Sequence, residues 1–249
     1  MLSGKIRVCG GKIYERQVYY VCKRLKTTHG TLFCTQKEKD IGGTTSQKDI
    51  ECNFYNIRDV GIEIKKYKAP DWMQLSISPN PEKQQWTSKG SSKIPRRAQK
   101  LLEGLLKGKN LYRKTPPFLE GYITYEEWLE YKPEFTDMYL DCPPTTISEL
   151  YRSKGCQYIQ VSEYGLYHTG EDICMFGVPY FKCPQRLRVR IKIHKTRISY
   201  GKNKGKMIAS VIVSPQPSLP YQLEKSPFSL DCTECIPKNL LLTTSACIS

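Results

Sequence analysis

The stretch that decides the fold class is Arg186-Leu187-Arg188-Val189-Arg190-Ile191-Lys192-Ile193-His194. Its apolar and cationic residues alternate with a period of two, which is typical of a β-strand with one buried face. A glycine-bounded, lysine-rich turn follows at residues 201–205, and a second apolar run occupies residues 207–213. Two such runs on either side of a turn predict a β-hairpin.

Upstream of this hairpin the apolar spacing changes to that of helices. Pro95 suits the start of a helix, and apolar residues then recur three and four positions apart until Gly108. The apolar positions of this predicted helix are Ala98, Leu101, Leu102, Leu105 and Leu106. Two shorter helices are predicted by the capping-box pairs Thr124 with Glu127 and Thr146 with Glu149.

The remaining segments complete an α+β prediction. Strands are expected at residues 13–22, at the alternating Val60, Ile62 and Ile64, at 158–161 and at 175–181. Residues 74–92 have few apolar anchors and predict a loop or linker, and prolines from Ser214 onward predict a disordered tail. The predicted fold class is therefore α+β, with a strand-rich N-terminal part, short central helices, a C-terminal β-hairpin and a disordered tail. Residues 1–197 would form a nucleic-acid-binding region, and 198–249 the hairpin return strand and a flexible activation tail.

Charge and cysteine content narrow the class of protein. The 249 residues carry a net charge of +15, and residues 1–133 hold 25 Lys and Arg against 14 Asp and Glu. Such an excess favours a polyanionic partner. No apolar run approaches the roughly 18 residues of a membrane span. The eleven cysteines are odd in number and follow no apolar leader, so they are interpreted as thiols of a soluble protein in a reducing compartment.

The candidate DNA-binding residues are cations on three segments. A helix with docked leucines presents its lysines and arginines outward, and the strand at 186–194 gathers cations on one face with no acid nearby. Lysines 65, 66 and 68 surround Tyr67, a pairing that also suits stacking on unpaired bases. The full candidate set is Lys65, Lys66, Lys68, Lys93, Arg96, Arg97, Lys100, Lys107, Lys109, Arg113, Lys114, Arg188, Arg190 and Lys192.

Catalytic and metal patterns are weaker. Cys232 and Cys235 form a C-x2-C pair, but a tetrahedral zinc site needs two more ligands and none stands at a standard spacing. Unliganded thiols are the commoner alternative, so no cofactor is predicted and zinc at these two residues stays an open alternative. No nucleophile with its base and no phosphate-binding glycine loop is evident, and the prediction is that the chain is not an enzyme.

Several short motifs occur in a characteristic order. They are Ala69-Pro70-Asp71-Trp72, the basic helix at 95–106 followed by Lys107-Gly108-Lys109, then Pro117-Phe118 and Glu127-Trp128. In residues 69–130 this order resembles the foamy-virus transcriptional transactivator (Tas) family. The resemblance implies a nuclear, DNA-binding activator of viral promoters, whose N-terminal and central region binds duplex DNA and whose tail recruits host transcription machinery.

The functional hypothesis is thus a viral transactivator that binds promoter DNA in the host nucleus and does not enter membranes. Two alternatives stay open. One is a viral accessory protein that binds RNA or a host protein with the same cations and tyrosines. The other is a zinc-stabilised, cysteine-rich adaptor without a nucleic-acid role.

Overall fold

A computed structural model describes residues 10–24, 26–27, 30–34, 48–54, 56–69, 71–80, 82–89, 94–112, 114–119, 121–194, 201 and 203–235. The helices are α1 (Gly10–Arg24), α2 (Arg96–Leu106), α3 (Tyr125–Tyr131) and α4 (Thr146–Ser153). The first strands are β1 (Lys26–Thr27), β2 (Gly30–Cys34), β3 (Ile50–Phe54), β4 (Ile57–Lys65), β5 (Leu75–Asn80) and β6 (Gln85–Ser88). The later strands are β7 (Tyr122–Ile123), β8 (Met138–Cys142), β9 (Cys156–Val161), β10 (Gly165–His168), β11 (Gln185–Ile193) and β12 (Met207–Pro217).

The chain divides into two compact units, and each is assembled from separate stretches of sequence. Unit 1 takes residues 1–69, 148–183 and 222–249, and unit 2 takes 70–147 and 184–221. The sequence of unit 2 holds 20 Lys and Arg against 10 Asp and Glu, whereas that of unit 1 holds 19 against 14. Most of the cationic excess therefore belongs to unit 2. The boundary predicted at residue 197 falls between two paired strands of that unit.

Unit 1 is built on a sheet of order β1-β2-β3-β4-β9-β10, in which only the β4–β9 pair is parallel. The alternating Val60, Ile62 and Ile64 predicted as a strand lie in β4 and are buried. Its core joins residues far apart in sequence, including Val18, Ile62, Tyr158, Phe176 and Phe228.

The predicted strand at residues 13–22 is wrong, because this segment lies in helix α1. Its composition of Ile, Tyr and Val favours strands, but the buried residues Tyr14, Val18, Val21 and Cys22 follow helical spacing. Burying that stripe outweighs the residue preferences, since tertiary contacts routinely override intrinsic propensity.

Unit 2 contains the sheet β6-β5-β12-β11-β8, with β7 paired to the start of β12. The predicted hairpin is confirmed. Strands β11 and β12 pair antiparallel from Gln185 opposite Pro217 to Ile193 opposite Ala209. The apolar residues Leu187, Val189 and Ile191 are buried, as their period-two spacing predicts.

The linker predicted at residues 74–92 is also corrected, because β5 and β6 form an antiparallel hairpin there. The few apolar residues of this segment are sufficient anchors, since Leu75, Ile77 and Trp86 are all buried. Strand β5 then pairs with β12. A short segment with three well-placed apolar residues therefore joins the sheet despite its polar composition.

The three central helices are confirmed as α2, α3 and α4. The capping box of α3 is present, with the Thr124 N–H donating to Glu127 and the Glu127 N–H donating to the Thr124 hydroxyl. The position expected as the N-cap of α4 differs. Thr146 is instead the first residue of α4 and its hydroxyl donates to the Pro143 carbonyl.

The C-terminal segment is ordered further than its prolines suggest. Strand β12 continues to Pro217, and Phe228 and Leu230 are buried in the core of unit 1. Residues 236–249, the end of the predicted activation tail, lie outside the described residues. Residues 175–181, predicted as a strand, form only an isolated bridge between His168 and Tyr180.

The mixed, strand-rich α+β class predicted from the sequence is confirmed. Among the residues that the structure describes, no helix has the length and apolar character needed to cross a membrane.

Candidate nucleic-acid interface

Helix α2 separates its apolar and cationic residues onto opposite faces. Ala98, Leu102 and Leu106 are buried, following the predicted three- and four-residue spacing. The cations Arg96, Arg97 and Lys100 are exposed on the outer face. The helix is thereby fixed to unit 2 by its leucines while its charges face solvent.

The single acid of this helix does not neutralise the outer cations. Glu103 lies toward β6, where its Oε1 accepts the Ser88 backbone N–H at 2.7 Å. Gln99 reinforces the same contact, since its Oε1 accepts the Ser88 hydroxyl at 2.9 Å and its Nε2 donates to the Ile94 carbonyl at 2.7 Å. These bonds hold α2 in a fixed position beside the β5–β6 hairpin.

The cationic surface continues past the end of α2. Lys107 and Lys109 are exposed on either side of Gly108, whose φ of 71° allows the chain to turn. A side chain placed at Gly104 or Gly108 would meet no atom within 4 Å. The space beside Gly104 and Gly108 is therefore open.

The outer cations lack acidic partners within the described part of the chain. No carboxylate oxygen there lies within 4.0 Å of the five exposed cations of this surface. We call Arg96, Arg97, Lys100, Lys107 and Lys109 the α2 cation surface. Unpaired exposed cations repel one another, and an anion placed across them relieves that repulsion.

Strand β11 behaves differently, and the prediction that no acid lies near its cations is wrong. Asp71, only 5 % exposed, accepts from Arg190 Nη2 at 2.7 Å and from Arg188 Nη1 at 3.3 Å. Asp137 lies 2.6 Å from Arg188 Nη2. Lys192 donates to the Gln74 side chain at 2.9 Å. The strand cations are thus held by contacts within unit 2, and Arg188 and Arg190 are withdrawn from the candidate set.

Lys65 is also withdrawn, because it belongs to a buried ionic cluster in unit 1. Its Nζ lies 2.5 Å from Glu63 and 3.7 Å from Asp49. Lys154, which is buried, lies 2.7 Å from the second oxygen of Glu63. Both lysines lower the pKa of Glu63 although burial opposes them. The cluster lies in the interior of unit 1. The period-two spacing of β4 did not indicate that Lys65 pairs with buried acids there.

The remaining candidate cations differ in their surroundings. Lys66 and Lys68 are exposed in unit 1, and the Lys68 Nζ lies 4.9 Å from the centre of the Tyr67 ring. Lys114 forms an exposed pair with Glu134 at 2.8 Å, and exposed pairs of this kind are weak. Lys93 and Arg113 lie outside the described residues.

Beside the α2 cation surface lies a groove that the sequence did not reveal. One wall is the end of the β5–β6 hairpin with Asn80, Gln84 and Gln85, and the other is the segment after α2 with Asn110 and Tyr112. The groove has a volume of about 410 Å³. It was missed because its two walls come from segments about 25 residues apart, and one of them was predicted to be a linker.

The cysteine pair predicted to hold thiols is instead oxidised. Cys232 and Cys235 are joined by a disulfide bond, which leaves neither sulfur free as a zinc ligand in this structure. Elsewhere in the described residues, no three His, Cys, Asp or Glu side chains form a group suited to a metal ion. Burial raises the pKa of the Cys174 thiol to about 12.

Comparison with known proteins adds no family to this description. No protein-family model, curated protein or solved structure matches the chain.

Proposed function

We propose that this protein binds duplex DNA through the α2 cation surface and acts as a viral transcriptional transactivator in the host nucleus. The observation that carries the proposal is the outer face of α2. Arg96, Arg97 and Lys100 are exposed there without a carboxylate partner in the described chain, while Glu103 is bonded to the Ser88 backbone. A docked helix with unpaired cations is suited to phosphates or to the major groove.

The rest of unit 2 supports this assignment. Its sequence carries an excess of ten positive charges, and acids already neutralise part of the β11 face. The α2 cation surface contributes five of the twenty cations of this unit, and no such partners are found for those five among the described residues. The resemblance of residues 69–130 to foamy-virus transactivators covers this same segment and supplies the promoter as the DNA target and host transcription machinery as the second partner.

Salt dependence of DNA binding tests the proposal. Each neutralised phosphate contributes about −0.9 to the slope of log K against log salt, so five contacts predict a slope of about −4.5. The affinity for a duplex of 20 base pairs should then fall by two to three orders of magnitude between about 50 and 200 mM salt. A flat titration would overturn the proposal.

A pair of variants with equal charge locates the contacts. Replacing Arg96, Arg97 and Lys100 by Gln should reduce the size of the slope by about three. The matched control replaces Lys12, Arg16 and Lys23 by Gln. These residues are exposed on α1 in unit 1, and their replacement also removes three positive charges. We expect the control to keep nearly the full slope. Equal losses in both variants would show that net charge alone governs binding and would contradict a site on α2.

A further inference from the structure

We propose that the groove beside the α2 cation surface reads the edge of adenine through unpaired amide side chains. This inference rests on the proposed function for its phosphate contacts and adds a specific ligand group to it. Phosphate contacts position a protein on nucleic acid, whereas sequence is read at base edges. Contacts to phosphates alone could not distinguish one sequence from another.

The chemistry of the groove walls supports adenine. The side chains of Gln84, Gln85 and Asn110 line the groove, and none of these three amides has a hydrogen-bond partner among the described residues. An amide offers a donor and an acceptor side by side, which matches the N6 amino group and N7 of adenine. Guanine, by contrast, presents two acceptors at the same edge and is paired best by arginine.

The amides are held in place by the hairpin. The Asn80 side chain accepts the Lys83 backbone N–H at 3.0 Å, which orders the turn that carries Gln84. Gln84 itself has a φ of 48°, in the left-handed region. Next to it, Trp86 is buried and anchors the strand that carries Gln85. These contacts order the backbone that carries Gln84 and Gln85.

The groove and the α2 cation surface share Lys109 and are adjacent in the sequence. Lys109 and Gly108 line the groove and directly follow α2. The bonds from Glu103 and Gln99 to Ser88 tie the helix to the hairpin that forms the opposite wall. A nucleic-acid strand whose phosphates contact the α2 cation surface therefore brings a neighbouring base close to the amides.

Tyr112 adds an aromatic wall with an unusual conformation. Its φ is 61°, and its buried hydroxyl has no hydrogen-bond partner in the described part of the chain. The ring packs edge-on against Phe135 at 5.4 Å between centroids, which holds it in position. Non-glycine residues in the left-handed region cost free energy, and such strained residues cluster at ligand-binding sites.

The experiment compares adenine with other bases on the 249-residue protein. The probes are a dA12 strand, a dT12 strand, and a dA12 strand in which 7-deazaadenine removes N7. Two 20-base-pair duplexes, one with and one without adenine runs, distinguish a paired base from an unpaired one. We expect a preference of about tenfold or more for adenine in one of these formats. We also expect 7-deazaadenine to lose most of that preference.

The variant Gln84→Gly with Asn110→Ala removes two of the amides. Glycine preserves the positive φ at position 84, so the turn is retained. This variant should lose the adenine preference while its salt slope stays unchanged. The matched control is Gln222→Ala, an exposed amide of unit 1. Thermal unfolding of all three proteins checks that they are folded.

The outcomes separate this inference from the proposed function. Binding with a normal salt slope but no adenine preference, or a preference that survives the double variant, would overturn the base-reading groove alone. Absence of any salt-dependent binding would overturn the proposed function. A preference seen only with dA12 assigns the groove to an unpaired base, and one seen with the duplexes assigns it to a paired base.

Discussion

At the residue scale, the charges of this protein belong to two populations with different roles. The lysines of the buried cluster in unit 1 lie within 4 Å of Glu63 and Asp49, whereas the cations of α2 have no such partners in the described chain. Both populations look alike in the sequence. Burial and the position of acids distant in sequence decide which cations are available to a ligand.

Removing the central acid of the buried cluster should strongly destabilise the fold. Glu63→Ala leaves Lys154 and Lys65 without their shortest ion pairs in the interior. Breaking a buried pair in this way typically costs about 3–5 kcal/mol. Urea unfolding measures the loss. The control Glu134→Ala breaks the exposed pair with Lys114 and should cost less than about 1 kcal/mol. Similar losses in the two variants would contradict the structural role of the cluster.

Asp49 should make the stability of the protein depend on pH. Burial, and then the charge of Glu63, raise the pKa of Asp49 to about 7. The folded state therefore holds this proton more tightly than the unfolded state, and stability falls as the pH rises from about 4 to about 7. One proton contributes a slope of at most about 1.4 kcal/mol per pH unit. Urea unfolding at a series of pH values should show this fall, and Asp49→Asn should lessen it. An unchanged profile in the variant would refute the assignment.

A carboxylate in a loop of unit 1 also has a structural role that the sequence did not indicate. Asp172 accepts the Tyr158 hydroxyl at 2.8 Å and the backbone N–H of Gly177 at 2.7 Å. It also accepts the N–H groups of Phe176 and Val178. Asp172→Ala should cost about 2–3 kcal/mol, because several donors lose their partner. Chemical denaturation measures this cost, and Glu171→Ala at the exposed neighbouring position is the control.

At the element scale, α2 is the element predicted best, since its apolar spacing and its charges both agree with the structure. Its end offers two contrasting glycines. Gly104 lies in the helix with open space around it, whereas Gly108 has a φ of 71°.

Substitution by alanine should therefore have opposite effects at Gly104, within α2, and at Gly108, which follows it. Gly104→Ala should stabilise unit 2 by about 0.5–1 kcal/mol, because alanine favours the helix. Gly108→Ala should destabilise it by about 1 kcal/mol, because alanine is strained at positive φ. Thermal or urea unfolding distinguishes them. Effects of the same sign would contradict the helix end described here.

The elements that sequence patterns missed share a physical cause. Residues 13–22 have strand-forming side chains, yet Tyr14, Val18 and Val21 recur at helical spacing and are buried in that form. Residues 75–88 are polar, yet three buried side chains suffice for a hairpin. Propensity and composition describe a segment alone, whereas packing against the sheet decides its form. Likewise, the sequence predicted the cations of α2, but the partners of Arg188 and Lys65 and the amide groove depend on distant segments.

At the scale of the whole molecule, the C-terminal segment is part of unit 1. Phe228 and Leu230 are buried in its core, and the Tyr14 hydroxyl donates to Asp231 at 2.5 Å. The predicted boundary at residue 198 would separate these residues from their partners. An assay for transcriptional activation should therefore use residues 1–249, because a fragment of residues 198–249 contains only part of each of the two folded units.

Ending the chain at residue 221 should consequently unfold unit 1 or greatly weaken it. The single substitution Phe228→Ala is the reference for the loss of stability, because losing a buried phenylalanine costs about 3–5 kcal/mol. The truncation should cost more than this substitution. Limited proteolysis and urea unfolding measure both. A truncated chain as stable as the 249-residue protein would contradict the packing of residues 228–231.

The link between Tyr14 and Asp231 spans 217 positions of the chain. It has a consequence for synthesis on the ribosome. Unit 1 cannot close until Asp231 has been synthesised, and unit 2 must likewise wait for β12. Long-range pairings of this kind slow folding and prolong the exposure of apolar surface. The newly made chain should therefore depend on chaperones until residue 231 is available to pack against α1.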